Sequence, residues 1–254
     1  MKSTELLGAF LAVGLAGGVA GYLLAPGGAA PEPAPAEISA PEPAPVAVAP
    51  APTSEVEYNA SLPPDVYRDS RSRIPLIKRE DVPADRQADY DSRISPDTDS
   101  LAGLQGPGGL RLHGSRDEDV GEALGGRLKE LIRLIVSREM NQPFEWTVHE
   151  PVGLREGLEP AIIDVVRLDK PLDGVPEKEA AMIQLGREMF RYHKVSSATH
   201  ARALAALGEV NLIDTCVLMG DYAETAILLT VNDVRLPYDR PSLMPPRPAD
   251  WKAD

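Results

Sequence analysis

The chain has 254 residues, a net charge of −13, a single cysteine and 25 prolines. That acidic balance, with no basic cluster, argues against nucleic acid as a partner, and one cysteine excludes an intramolecular disulfide framework. Apolar residues make up 43% of the chain but aromatics only 5%; this Leu/Ala/Val economy suits helix packed on helix better than a β-sandwich, so the expected fold class is all-α.

In chain order, Leu6 to Ala25 is an uncharged apolar run long enough to cross a bilayer as a helix. Lys2 precedes it and Glu32, Glu37 and Glu42 follow, which keeps the amino end inside and predicts export of the rest. Residues 1–25 therefore read as a signal peptide or a signal anchor, with the protein periplasmic or tethered at the cell envelope. Residues 26–52 are a Pro/Ala-rich linker in which Pro31-Glu-Pro-Ala-Pro recurs as Pro41-Glu-Pro-Ala-Pro. Such a run cannot bury a core and extends as a polyproline-like spacer, roughly 80 Å at about 3 Å per residue. Residues 53–116 are polar and punctuated by Pro63, Pro64, Pro75, Pro83 and Pro96, with a short helix expected from Pro83 to Tyr90.

From Asp117 the pattern turns helical, and residues 117–235 read as the helical domain. Leu124, Leu128, Leu131, Ile132, Ile135 and Val136 form a wide apolar face with Glu130 at its edge. Gly125-Gly126 is expected to break this helix. After Asn141-Gln142-Pro143 the next helix carries Phe144, Trp146, Val148, His149 and Val152. Pro151 offers no N–H to the Thr147 carbonyl, which predicts a kink at His149 or a restart at Pro151. Further helices are expected over Glu159–Leu168, over Glu177–His193, from a cap at Ser196 to near Gly208, and over Asn211–Asn232. The last is the most apolar and carries Cys216, expected to be buried, and Tyr222. The Pro-rich tail, residues 236–254, is expected to run extended over the surface or a neighbouring subunit.

Four segments, Arg127-Leu-Lys-Glu130-Leu-Ile, Phe144-Glu-Trp-Thr-Val-His149-Glu-Pro, Glu156-Gly-Leu158 and Leu218-Met-Gly-Asp-Tyr222, resemble the carboxymuconolactone decarboxylase family. This is the all-α group that includes the alkyl hydroperoxidase D proteins, and the resemblance spans roughly residues 72 to 245. It implies an alkyl hydroperoxidase D-like helical bundle, an arm running to His113 over the helical body, and a homo-oligomer. It also implies that Glu130 and His149 are the functional pair. In the peroxidase branch a Cys-x-x-Cys pair precedes the histidine; the matching positions here are Gln142 and Glu145, so the dithiol is missing.

A carboxylate held beside an imidazole raises the imidazole pKa and lets it move protons near neutral pH, which makes Glu130 and His149 the catalytic candidates. From the residues alone the simpler reading is a helix-surface carboxylate near Arg133 and an imidazole filling a core gap; the resemblance favours the pair. Glu145, one turn before His149, is the alternative partner. Glu145, Trp146, His113 and Arg127 are the candidate substrate contacts, although Trp146 packing the core and His113 capping a surface are the plainer roles. No spacing gathers three or four metal ligands, and no phosphate loop or nucleophile elbow is present, so neither metal nor cofactor is expected. Three functions stay open: a cofactor-free lyase or isomerase acting on a small carboxylated lactone or related acid, a non-enzymatic membrane-tethered binding module, and a peroxidase.

Overall fold

The computed structural model describes residues 54–98, 103–116, 119–237 and 240–247. The expected signal segment 1–25 and linker 26–52 lie outside the described residues, as does the end of the tail. Among the described residues the chain is all-α: no strand occurs, and Tyr67 and Ser72 form an isolated bridge. Three short helices punctuate the arm, α1 (Glu55–Ser61), α2 (Gln87–Arg93) and α3 (Pro107–Arg111). The body follows as α4 (Gly125–Glu139), α5 (Pro143–Arg155), α6 (Pro160–Arg167), α7 (Glu177–Tyr192), α8 (Ser197–Leu207) and α9 (Glu209–Val231).

α4 is the hub. Leu131, Ile132, Leu134, Ile135 and Val136 are all essentially inaccessible, too many positions for one stripe, so the helix is enclosed by α5, α6, α7 and α9. Each fully buried aliphatic side chain of this kind contributes about 1.5–3 kcal/mol. Two glycines let neighbours come close. A Cβ at Gly153 of α5 would lie 3.4 Å from the Glu130 Cβ, and one at Gly186 of α7 would collide with Ile135. The expected break at Gly125-Gly126 is the start of α4, where Gly125 has φ of 73° after a 3-10 turn, Glu122–Leu124.

The α4–α5 corner brings two chemistry-bearing helices together. Asn141 takes the left-handed conformation (φ 52°) that asparagine tolerates better than most residues. Gln142 N donates to Ser137 O (2.7 Å), while the Gln142 side chain accepts from Phe144 N (3.1 Å) and Pro143 fills the first helical position. Instead of restarting at Pro151, α5 runs unbroken to Arg155 with the proline inside it. Thr147, whose carbonyl loses a donor to that proline, donates its hydroxyl to Pro143 O (2.8 Å) and accepts from Leu243 N (3.1 Å).

Polar contacts dominate where the non-helical segments meet the body. Buried Asp214 of α9 accepts from Ser115 N (2.8 Å), Ser115 Oγ (2.6 Å) and Gly121 N (3.0 Å), and Arg73 donates to Val195 O (2.8 Å). The arm has a small core of its own, Ile77, Val82 and Leu112. Near the carboxyl end, residues 240–247 form a strap: Met244 enters the main core, and Arg138 donates to Pro245 O (2.8 Å). Cys216, expected inside, is exposed on the outer face of α9 with Gly220 and Glu224. No single helix among the described residues is long and apolar enough to cross a membrane.

Candidate functional site

Because α4 and α5 pack tightly at Gly153, the side chain one turn earlier on α5 meets α4. His149 Nδ1 lies 3.0 Å from Glu130 Oε2. Glu130 is only 2% exposed, and its other oxygen is held by Arg133, one turn along α4. An ionised carboxylate can only accept, so His149 donates from Nδ1, and in the neutral imidazole the free lone pair is on Nε2. Nε2 has no hydrogen-bond partner among the described residues.

α9 closes the third side. The Tyr222 ring meets His149 edge-on, with centroids 5.2 Å apart and an interplanar angle of 81°, and the Arg133 guanidinium lies 5.0 Å over the Tyr222 ring. Burial raises the Tyr222 phenol, with Arg133 opposing and Glu130 and Glu145 reinforcing the shift.

Glu145 occupies the same stripe of α5 as His149 and Gly153, one turn toward the amino end. There Gln142 Nε2 donates to Thr230 Oγ1 (3.2 Å), fastening the start of α5 to α9. Glu145 is 3% exposed, and neither carboxyl oxygen has a hydrogen-bond partner among the described residues. Burial pushes its pKa up to about 7, so the neutral acid persists far above the usual carboxylate range. Glu145 is therefore not the partner of His149; it is a second, uncommitted acid beside the pair. Arg133 Nε is likewise buried and unbonded.

The remaining sequence-derived candidates are held elsewhere. Arg127 bonds Glu159 and Glu179, tying α4 to the start of α6 and to α7. Trp146 is fully buried and donates to Glu150 (2.6 Å), with the Arg167 guanidinium 5.8 Å from its ring, so it packs the core. His113 pairs with Glu209 (2.5 Å) where the arm meets α9. The members absent from the candidate list are Arg133 and Tyr222. Arg133 is one helical turn from Glu130, and Tyr222 ends the Leu218-Met-Gly-Asp-Tyr222 segment, so both carried a signal. Among the described residues, five clefts of about 250 to 450 Å³ are lined by residues other than Glu130, Glu145 and His149. No group of His, Cys, Asp and Glu among the described residues is arranged to hold a metal ion.

Comparison with protein-family models, with curated proteins and with solved structures found no significant match.

Proposed function

We propose that the α4/α5/α9 cluster is a cofactor-free acid/base centre that moves a proton on a small carboxylated lactone or related acid. The supporting observation is the Glu130–His149 contact, which leaves His149 Nε2 uncommitted, with the Arg133 guanidinium bonded to the same carboxylate. In this reading Glu130 orients the imidazole, and Nε2 takes a proton from the carbon next to a carbonyl. The electron pair passes into an enolate that Arg133 stabilises, and His149 returns the proton at a different carbon, as in an isomerase. In a lyase the C–CO2 bond breaks instead, its electron pair forms the enolate, and His149, protonated from solvent beforehand, supplies the proton to the carbon that CO2 has left. Glu145, whose pKa burial raises to about 7, gives and takes a proton near neutral pH and is a further proton store. Membership of the carboxymuconolactone decarboxylase family, an alkyl hydroperoxidase D-like fold, export with tethering by residues 6–25, and a homo-oligomer formed through α9 belong to the same proposal. Exposed Ile227, Leu228 and Val231 on α9 favour the last.

The test is a spectroscopic assay of the full chain on a panel of carboxylated lactones and enol acids, beside hydroperoxide with a thiol donor. Turnover of a carboxylated compound that falls by about 10² or more in His149→Ala is expected. Hydroperoxide turnover is not expected, because Cys216 has no second cysteine to resolve it. A second reading, a non-enzymatic tethered binding module, is favoured by the arm and the strap held against the helical body. Saturable ligand binding without turnover of any panel compound would replace the enzymatic reading with that one.

A further inference from the structure

The largest of the five clefts, about 450 Å³, lies entirely within the arm, remote in sequence from the Glu130–His149 cluster. Its walls carry Arg86, Arg93, Arg111 and Arg116 against two acids, Asp85 and Asp89. In a chain of net charge −13 such a local excess of guanidinium groups is not a consequence of overall composition. Depth sorts the charges as well: both aspartates are exposed, whereas Arg86, Arg93 and Arg111 are partly buried.

Two of the arginines have no carboxylate to neutralise them among the described residues. Arg86 is bonded to main-chain carbonyls, Nη1 to Gly114 O (2.6 Å) and Nη2 to Arg111 O (2.9 Å), which fix its position but leave its charge uncompensated. Arg93, the last residue of α2, makes no hydrogen bond or ion pair among the described residues, and its Nε is buried without a partner. Its guanidinium is seated against Gly108 of α3, where any side chain would collide with it. Glycine at 108 thus opens the space through which a long cation from one short helix reaches the cleft beside the other. Arg116, by contrast, is paired with Asp119 (2.7 Å) and Asp85 (3.5 Å).

The buried Arg93 Nε makes no bond that would offset its burial, and planar guanidinium groups match the oxygens of phosphate two at a time. We infer that this cleft is an anion site that takes a phosphate group carried by a small molecule or a lipid headgroup, with Arg93 as the principal contact and Arg86 as a fixed positive wall. A cleft of this size holds more than a bare phosphate, leaving room for the group that bears it. The site is independent of the proton-transfer reading above and stands or falls without it.

The experiment is calorimetric titration of the full chain with inorganic phosphate at low ionic strength, repeated on Arg93→Gln and Arg93→Lys. Saturable binding is expected, weakened about tenfold or more by Arg93→Gln and less by Arg93→Lys, which keeps the charge but loses the paired donors. Thermal unfolding of Arg93→Gln without phosphate should match that of the parent, because no bond is lost, and this separates lost binding from lost folding. Co-sedimentation with phosphatidylcholine vesicles, with and without phosphatidylglycerol, identifies the carrier. Recruitment that depends on both phosphatidylglycerol and Arg93 assigns a lipid headgroup; phosphate binding without such recruitment assigns a soluble phosphate ester. No saturable binding up to about 10 mM phosphate, or equal affinity in Arg93→Gln, would overturn the proposal.

Discussion

Glu130 and Glu139 sit on the same helix, α4, with side chains equally withdrawn from water at 3% exposure, yet their surroundings differ in kind. Glu139 takes Arg191 on both oxygens (2.7 and 2.8 Å) and Arg247 of the strap on one (3.1 Å), and Arg191 also holds Asp169 (2.7 Å). Burial works against the Arg191 charge, but Glu139 and Asp169 together raise its pKa. Arginine does not release its proton in a protein, so this cluster has one charge state and serves as a fastener between α4, α7 and the strap. Glu130 is bonded to one arginine and to a histidine, the side chain that titrates in the physiological range. Around it remain His149 Nε2 without a partner and Glu145 with both oxygens unbonded. A buried carboxylate closed off by arginines is architecture; one that ends on an imidazole with unfilled bonding capacity nearby is available for chemistry.

The largest effect should come from opening the closed cluster. Glu139→Gln removes the buried negative charge that Arg191 and Arg247 share and should cost about 3–5 kcal/mol of stability. Glu130→Gln keeps an acceptor for His149 and should cost less, about 1–2 kcal/mol, and under the proton-transfer reading it abolishes turnover of the carboxylated panel compounds. Urea unfolding of both variants at neutral pH decides the matter. A loss for Glu139→Gln no greater than for Glu130→Gln would erase the distinction between the two clusters.

The second effect is a pH dependence that belongs to the open cluster. Glu145 has a pKa of about 7 in the folded chain against 4.5 as its ordinary value. Between those values the native state holds a proton that the unfolded chain has lost, so stability falls as pH rises from about 4.5 to 7 and then levels off. The full swing is on the order of 3 kcal/mol at 1.36 kcal/mol per pKa unit. Glu145→Gln has no proton to lose. Its stability relative to the parent should therefore climb across that window, and a difference that stays flat from pH 4.5 to 8 would show that the Glu145 acid form is not what the fold prefers.

These two clusters also differ in how legible they were. The body helices follow from 3.6-residue apolar spacing, and the caps at Ser196 and the Asn141–Pro143 corner follow from residues whose side chains or fixed torsions favour helix ends. Periodicity placed Glu130 only at the edge of an apolar face; its approach to His149 depends on Gly153 letting α5 lie close, which no local pattern announces. Glu139–Arg247 was not legible at all. Its partners are 108 residues apart, and Arg247 lies in a Pro-rich segment that looks featureless until Met244 and the Pro245 carbonyl are seen to dock it. Arg127 shows the converse: proximity in sequence to Glu130 suggested a shared site, but Glu159 and Glu179, 32 and 52 residues away, hold it. Partner choice at long range is set by helix packing, and the sequence carries that information only through the packing it produces.

The smallest predicted effect probes the thread that runs between the two clusters. Thr147 is on α5, two residues before His149, and its hydroxyl accepts from Leu243 N (3.1 Å) as the strap passes toward Glu139. Thr147→Val keeps the shape of the side chain and removes that acceptor, leaving a part-buried main-chain donor unpaired at a cost of about 1–2 kcal/mol. The hydroxyl also donates to Pro143 O (2.8 Å), but helix carbonyls at that position retain other acceptor geometry, so the loss is carried mainly by Leu243. If strap and site are independent, as their different partners imply, the variant unfolds earlier while its activity or ligand binding stays at the parent level. Non-additivity in a double variant with Glu139→Gln would then report that both changes loosen the same strap. A Thr147→Val chain that is as stable as the parent but has lost function would place the strap in the service of His149 instead, and the two ends of α4 would have to be treated as one device.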